Sequence, residues 1–167
     1  MDYQSPYELP HLITRKEYEH MDAYERFYEH YNMSYALASI LSRLTKSSEA
    51  YTQKELTAYT RLPKQSVNNI IKELERNGSI ELVPSITDKR EKNIVPTEEG
   101  KAAFDRIMQP TTDVINMVVE MLGEEFLADL LHKLEIYCLS IEKAQEIVLL
   151  SNQWQDEVSE LLNKNKK

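Results

Sequence analysis

The spacing of apolar residues changes once along the chain. Over most of its length apolar side chains recur every three or four positions, the period of an amphipathic helix, whereas two short runs between 80 and 96 have no helical period. Those runs flank a charged turn and predict a small two-stranded ribbon. Residues 1–13 show little periodicity and predict an extended arm. The pattern therefore favours a mainly α fold with helices at about 14–31, 34–45, 52–60, 63–77, 97–122 and 124–162.

Local signals at the ends of these segments support their boundaries. Thr14–Glu17 and Thr52–Glu55 have the spacing of a capping box, in which a hydroxyl and a carboxylate satisfy free backbone N–H groups. Pro63 marks the start of a helix, because proline is accepted in a first turn but not inside. Gly78 marks the end of the same helix.

The helix that begins at Pro63 has two faces of different chemistry. Its apolar residues fall at i, i+3, i+4 and i+7 and predict a buried stripe of Val67, Ile70, Ile71 and Leu74. Amides can pair with adenine in the DNA major groove, and lysine can reach guanine. With the short helix before it, this segment predicts a helix–turn–helix in which Thr52 and Gln53 contact phosphates. The predicted base-facing residues are Lys64, Gln65, Ser66, Asn68, Asn69 and Lys72.

Charge is distributed unevenly along the chain. The net charge is −8, but residues 52–97 hold eight Lys/Arg and six Asp/Glu, which makes that segment +2 and the remainder −10. No acidic residue occurs from Lys64 to Lys72. The charged turn of the ribbon follows, and it suits a wing that lies on the DNA backbone. The predicted wing contacts are Asp88, Lys89, Arg90 and Lys92.

These segments together resemble the MarR family of winged helix–turn–helix regulators. The matching stretches are Thr52–Leu56, Leu62–Gly78, Asp88–Arg90 and Thr97–Gly100. The resemblance implies a homodimer with a helical dimerisation region, bound to an inverted repeat of double-stranded DNA, with Arg90 in the minor groove and Asp88 orienting it. Two positions depart from the family pattern, since Arg61 replaces the usual glycine of the bend and Pro63 the usual capping Ser or Thr.

The same resemblance divides the chain into three parts. Residues 1–33 would form an arm and a dimerisation helix, 34–100 the DNA-binding lobe, and 101–167 the C-terminal dimerisation helices. An aromatic stripe from Tyr18 to Tyr31 and an apolar stripe from Phe126 to Val148 would supply the dimer interface. Helices this apolar on so small a domain favour a partner surface.

Other chemistry is sparse. Cys138 is the only cysteine, and we expect it to be a buried thiol at an interface. No two of the four histidines have a short metal-ligand spacing, so we expect neither a metal site nor another cofactor. No catalytic context stands out, which argues against an enzyme. No leader peptide or long apolar run is evident, so we expect a cytoplasmic protein without a membrane segment. Methionines that would suit a small lipophilic effector are Met33, Met108, Met117 and Met121.

Two alternatives to a DNA-binding regulator remain open. The acidic remainder of the chain is compatible with a winged-helix adaptor that binds proteins and does not read DNA. A metal-sensing or redox-sensing protein of the same fold is the other alternative. The polar helix face and the Arg90 wing favour the regulator, because an adaptor needs neither.

Overall fold

A computed structural model describes residues 4–46, 50–85 and 91–150. The chain divides into two compact units, Met1–Thr112 and Asp113–Lys167. A 3-10 turn at Pro6–Glu8 precedes the first α-helix. The helices are α1 (Leu9–Glu29), α2 (Tyr35–Lys46), α3 (Gln53–Thr60), α4 (Lys64–Arg76), α5 (Glu98–Leu122) and α6 (Glu124–Leu150), and the strands are β1 (Tyr51–Thr52), β2 (Ile80–Pro84) and β3 (Lys92–Pro96). The prediction of a mainly helical fold with a small ribbon is confirmed.

The first helix begins earlier than the sequence predicted. Residues from Leu9 are helical, so the extended arm expected over 1–13 is wrong for the described part from residue 6 onward. Pro10 lies in the first turn, where its missing N–H costs no helical hydrogen bond. The capping box expected at Thr14 is also wrong, because Thr14 lies inside the helix and its hydroxyl donates to the Pro10 carbonyl oxygen at 3.1 Å.

The first unit is organised around one apolar core. It contains residues from α1, α2, α3, α4, α5 and the sheet. Three of the four apolar residues predicted for α4 are buried there, with Ile70 packed beside them. Tyr28 from α1 belongs to this core at 5% exposure, so this member of the aromatic stripe packs within its own chain. The largest fully buried side chains are Ile40, Leu41, Leu56, Ile80, Ile94 and Val67.

The sheet has three strands, not two. β3 lies between β1 and β2 in an antiparallel arrangement, and the predicted ribbon is the β2–β3 pair. The strand missed by the sequence analysis is β1, in which Tyr51 pairs with Ile94 and Thr52 with Asn93. Two residues are too few to show an alternating pattern, and only the pairing with β3 defines them as a strand.

A stacked arginine joins α2 to the helix–turn–helix. The Arg43 guanidinium carbon lies 4.8 Å from the ring centre of Tyr51 and 4.3 Å from that of Tyr59. Such cation–π contacts are favourable, more so where water is partly excluded. Arg43 therefore connects α2 with both β1 and α3.

The bend between α3 and α4 forms without glycine. Arg61 ends α3 in the left-handed conformation, with φ 57° and ψ 13°. Pro63 is the N-cap of α4 and makes no side-chain capping bond; its carbonyl oxygen accepts from the Val67 N–H at 3.2 Å. At the other end Gly78 has φ 76°, a conformation that glycine adopts without steric cost. The expected boundaries of this helix are confirmed.

The second unit exposes a long apolar helix. α5 is continuous through Pro110 and α6 runs to the last described residue, Leu150. No described residue of α6 is buried within the single chain. Phe126 is 52% exposed and Leu131 60% exposed. Cys138, expected to be buried at an interface, is exposed in the single chain.

Candidate nucleic-acid interface

The start of α3 is fixed by the capping box predicted from the sequence. The Thr52 hydroxyl accepts from the Glu55 N–H at 3.2 Å, and Glu55 Oε2 accepts from the Thr52 N–H at 2.8 Å. The Thr52 hydroxyl also donates to the same carboxylate oxygen at 3.0 Å. Hydrogen bonds from the Thr52 backbone and hydroxyl lower the pKa of Glu55. Thr52 is buried, so its hydroxyl serves α3, and the contact with phosphate stays a prediction.

All six predicted base-facing residues lie on α4. Four of them are exposed, and Ser66 and Asn68 are partly buried. The buried stripe of Val67, Ile71 and Leu74 lies on the other side, because these positions recur at helical spacing. Gln65, Asn69 and Lys72 follow one another at intervals of about one turn and form the exposed ridge of the helix. The four exposed residues are Lys64, Gln65, Asn69 and Lys72.

Two residues of this ridge are hydrogen-bonded to each other. Gln65 Nε2 donates to Asn69 Oδ1 at 2.9 Å, across one turn of α4. Both side chains are nevertheless exposed. The bond restricts the orientation of two amides that the sequence analysis assigned to separate base contacts.

A groove of about 710 Å³ lies between α3, the start of α4 and the strands β2 and β3. Its apolar base includes the buried Ile71 and Ile94. The polar lining combines exposed lysines with threonine hydroxyls and one partly buried carboxylate, that of Glu91. The lining residues with polar or charged side chains are Thr52, Gln53, Lys54, Thr57, Lys64, Glu91 and Lys92.

The groove brings together residues from three of the predicted sets. Gln53 from α3, Lys64 from α4 and Lys92 from the wing all line it. Lys54 and Thr57 line it as well, and the sequence analysis missed both. Their positions in α3 gave no signal, because only the packing of α3 against β3 places them beside the other lysines.

The base of the wing is described, but its tip is not. Lys92 begins β3 and pairs with Pro84 of β2. Asp88, Lys89 and Arg90 lie outside the described residues, so their DNA contacts stay predictions.

A cluster of hydrogen bonds made by Thr97 joins the base of the wing to α5. The Thr97 hydroxyl donates to the Gly78 carbonyl oxygen at 3.0 Å and accepts from the Gly100 N–H at 2.9 Å. The Thr97 N–H donates to the Ser79 carbonyl oxygen, also at 3.0 Å. The Thr-x-x-Gly part of the wing signature is therefore structural: it joins the start of β2 to the first turn of α5.

The residues considered for other ligands do not gather in one place. Met33 and Met108 are buried in the core of the first unit, whereas Met117 and Met121 are exposed. None of the four lines the groove described above, and the effector stays a prediction without a site.

Over residues 4–46, 50–85 and 91–150, no group of three or more His, Cys, Asp or Glu is placed to hold a metal ion. Among these same residues, no helix is both long and apolar enough to cross a membrane.

Comparison with known proteins gives concordant matches. A family model described as MarR family matches residues 31–91. An uncharacterized HTH-type transcriptional regulator of Bacillus subtilis, YwoH, is 29% identical over 118 residues, which are 71% of this chain and 74% of YwoH. The structure of NMB1585, a MarR family regulator from Neisseria meningitidis, is similar with a TM-score of 0.70 and 25% identity, covering 82% of this chain and 95% of that one.

A third relative is similar in fold. The Staphylococcus aureus protein MepR, in its complex with DNA, has a TM-score of 0.60 and 19% identity over 83% of this chain and 99% of that one. The region matched by the family model, residues 31–91, contains the helix–turn–helix and strand β2. Residues 31–91 of this chain therefore match the MarR family, and the chain has the winged-helix fold of MarR family regulators.

Proposed function

We propose that this protein regulates transcription by binding double-stranded DNA as a homodimer at an inverted repeat, with α4 in the major groove. The observation that carries the proposal is the outward face of α4. From Lys64 to Lys72 that face offers amides, a hydroxyl and two lysines, and it has no carboxylate although the chain is strongly acidic elsewhere. Such a face can form hydrogen bonds to base edges and does not repel phosphates.

The groove beside α4 supplies the contacts that would hold the DNA backbone. Lys54, Lys64 and Lys92 come from three different elements and line one concavity. Phosphate contacts of this kind set the register of a protein on DNA without reading sequence. In this proposal the groove receives one strand of the backbone while the exposed ridge of α4 faces the bases.

The apolar surface of α6 supports dimerisation. Monomeric proteins rarely expose a large contiguous apolar patch, and such a patch usually marks an interface. Seven of the apolar positions that the sequence analysis assigned to dimerisation are exposed in the single chain: Phe126, Leu130, Leu131, Leu134, Ile141, Ile147 and Val148. A second copy of the chain is the partner that gives two α4 helices about one turn of DNA apart, as an inverted repeat requires.

Release by a small lipophilic effector completes the proposed cycle. An effector lowers DNA affinity if it binds more tightly to a dimer whose α4 helices are wrongly spaced.

YwoH and MepR support the DNA-binding role by analogy, since the first is described as a transcriptional regulator and the second has been solved with DNA.

The test is selection of binding sites from a random duplex pool at near-physiological salt. We expect enrichment of one inverted repeat with half-sites about 10 base pairs apart. The Lys64→Ala and Lys72→Ala variants should weaken binding to the selected site, whereas Lys143→Ala, an exposed lysine of α6, removes the same charge without this effect. No enrichment, with only weak salt-sensitive binding, would contradict the proposal and favour the adaptor.

The dimer has its own test. Leu131→Glu places a charge on the exposed apolar face of α6, and we expect the variant to sediment as a monomer and to lose the inverted repeat. Sedimentation equilibrium of the parent protein should give twice the chain mass. A monomeric parent that still selects an inverted repeat would contradict the dimer.

A further inference from the structure

The bond between Gln65 and Asn69 limits what each amide can offer to DNA. An amide side chain has two N–H donors and a carbonyl acceptor with two lone pairs. Gln65 Nε2 uses one N–H on Asn69 Oδ1, at 2.9 Å. Gln65 keeps its second N–H and its whole carbonyl oxygen. Asn69 keeps both N–H groups but has one of its two acceptor positions occupied.

The groups left on Gln65 match one base edge in the major groove. Adenine presents the N7 acceptor next to the N6 amino donor, whereas guanine presents two acceptors. An amide pairs with adenine through its carbonyl oxygen and the N–H on the same edge. The other N–H points away from the base, so a bond to Asn69 made through that N–H is kept while adenine is bound.

From this pairing we infer that Gln65 and Asn69 form one reading unit that selects adenine in each half-site. Gln65 is the residue that touches the base, and Asn69 is a positioning residue that holds its amide. The inference rests on the proposed function, because it assumes that α4 lies in the major groove. Preorganisation is the physical reason for the pair: a long exposed glutamine otherwise loses rotamer freedom when it binds.

The pair also stabilises the helix, as any side-chain bond at i, i+4 does. That role alone would leave the choice of base unchanged when either residue is altered. Base preference is therefore the readout that separates a reading unit from a helix-stabilising pair. Thermal unfolding of each variant serves as the control for the helix itself.

The first experiment selects sites from a random duplex pool with the parent protein, Asn69→Ala and Gln65→Glu. We expect adenine at one fixed position of each half-site with the parent, and weaker discrimination there with Asn69→Ala. Glutamate only accepts hydrogen bonds and suits the cytosine amino group, so Gln65→Glu should change the selected base from adenine to cytosine. Glu75→Gln, an exposed residue in the last turn of α4 that is not at i+4 from Gln65 or Asn69, should select the parental site.

The second experiment replaces the selected adenine in the duplex by base analogues that each lack one hydrogen-bonding group. 7-Deazaadenine lacks the N7 acceptor, and purine lacks the N6 amino group. Each should weaken binding of the parent by at least about fivefold, the lower end for a good bidentate contact, and should change binding of Gln65→Ala by much less.

The outcomes separate this inference from the proposed function. If the parent enriches no site, the proposed function is wrong and the reading unit with it. If the parent enriches an inverted repeat but has no Gln65-dependent adenine, only the reading unit is wrong. If adenine depends on Gln65 but Asn69→Ala discriminates as strongly as the parent, Asn69 does not position Gln65 and the paired unit is overturned.

Discussion

Gly100 packs directly against the backbone of Ser79. A Cβ atom placed on Gly100 would lie 1.9 Å from the Ser79 carbonyl oxygen, far inside van der Waals contact. The same carbonyl oxygen accepts the Thr97 N–H, so the first turn of α5 and the start of β2 are held at this separation by hydrogen bonds. The base of the wing is therefore fixed by the absence of one side chain.

The first prediction concerns this contact. Gly100→Ala should lower the free energy of unfolding by about 3 kcal/mol, because the added methyl group forces the two backbones apart. Urea denaturation measures the change. Gly78→Asn is the matched control, since nothing lies within 4 Å of a Cβ there and asparagine tolerates positive φ. A Gly100→Ala protein as stable as Gly78→Asn would show that the close approach is not required.

The second prediction concerns the bend at Arg61. A non-glycine residue in the left-handed region costs about 1–2 kcal/mol, and glycine avoids this cost. Glycine also increases the conformational entropy of the unfolded chain, which offsets part of the gain in stability. Arg61→Gly should therefore raise the free energy of unfolding by about 0.5–1 kcal/mol. Asn32→Gly, at another positive φ, should change it less because asparagine adopts this conformation readily. A loss of stability in Arg61→Gly would mean that the arginine side chain makes a compensating contact.

The third prediction is a pH dependence. The pKa of Glu55 is lowered below its ordinary value of 4.5 by hydrogen bonds from Thr52, so the charged form is favoured in the folded state. Its contribution to stability is present above 4.5 and is lost as the pH falls through the folded pKa. Glu55→Gln keeps an acceptor but does not titrate. The stability difference between the parent and Glu55→Gln should shrink as the pH falls below 4.5, and a constant difference would contradict the assignment.

The fourth prediction concerns a buried pair between α1 and α5. The Thr111 hydroxyl lies 3.5 Å from the Tyr28 hydroxyl, and burial raises the pKa of Tyr28. Removing one partner leaves the other without its bond, which costs about 1–3 kcal/mol. Tyr28→Phe and Thr111→Val should each destabilise the protein, and the double variant should lose less than the sum. Strict additivity in the double-mutant cycle would show that the two hydroxyls do not interact.

The fifth prediction concerns the wing tip. Arg90→Ala should weaken binding to the selected DNA site by about 1–3 kcal/mol and leave the dimer intact. Arg106→Ala, an exposed arginine of α5, removes the same charge and should change the affinity little. Fluorescence anisotropy with labelled duplex measures the affinity. Unchanged affinity in Arg90→Ala would contradict the wing assignment.

Features set by local chemistry were predictable from the sequence. The capping box at Thr52, the stop at Gly78 and the apolar stripe of α4 depend on residues within one or two turns of each other. A bend at Arg61 was expected from the family resemblance, whereas its left-handed conformation is known only from the structure.

Features set by distant contacts were not predictable. β1 is defined by its pairing with β3, and Lys54 joins the groove through the packing of α3 on the sheet.

The bond between Gln65 and Asn69 was also missed, although its i, i+4 spacing was visible, because both residues were interpreted only as contacts to DNA. The early start of α1 was missed because residues 1–13 show little apolar periodicity.

The arrangement of the small sheet also bears on self-association. β3 is paired on both sides, so β1 and β2 form the two outer edges. β1 has only two residues, and β2 ends at Pro84, whose ring nitrogen has no hydrogen to donate. Neither edge offers a long row of free backbone groups to another molecule. We therefore expect this sheet to resist strand exchange and fibre formation when the protein is concentrated.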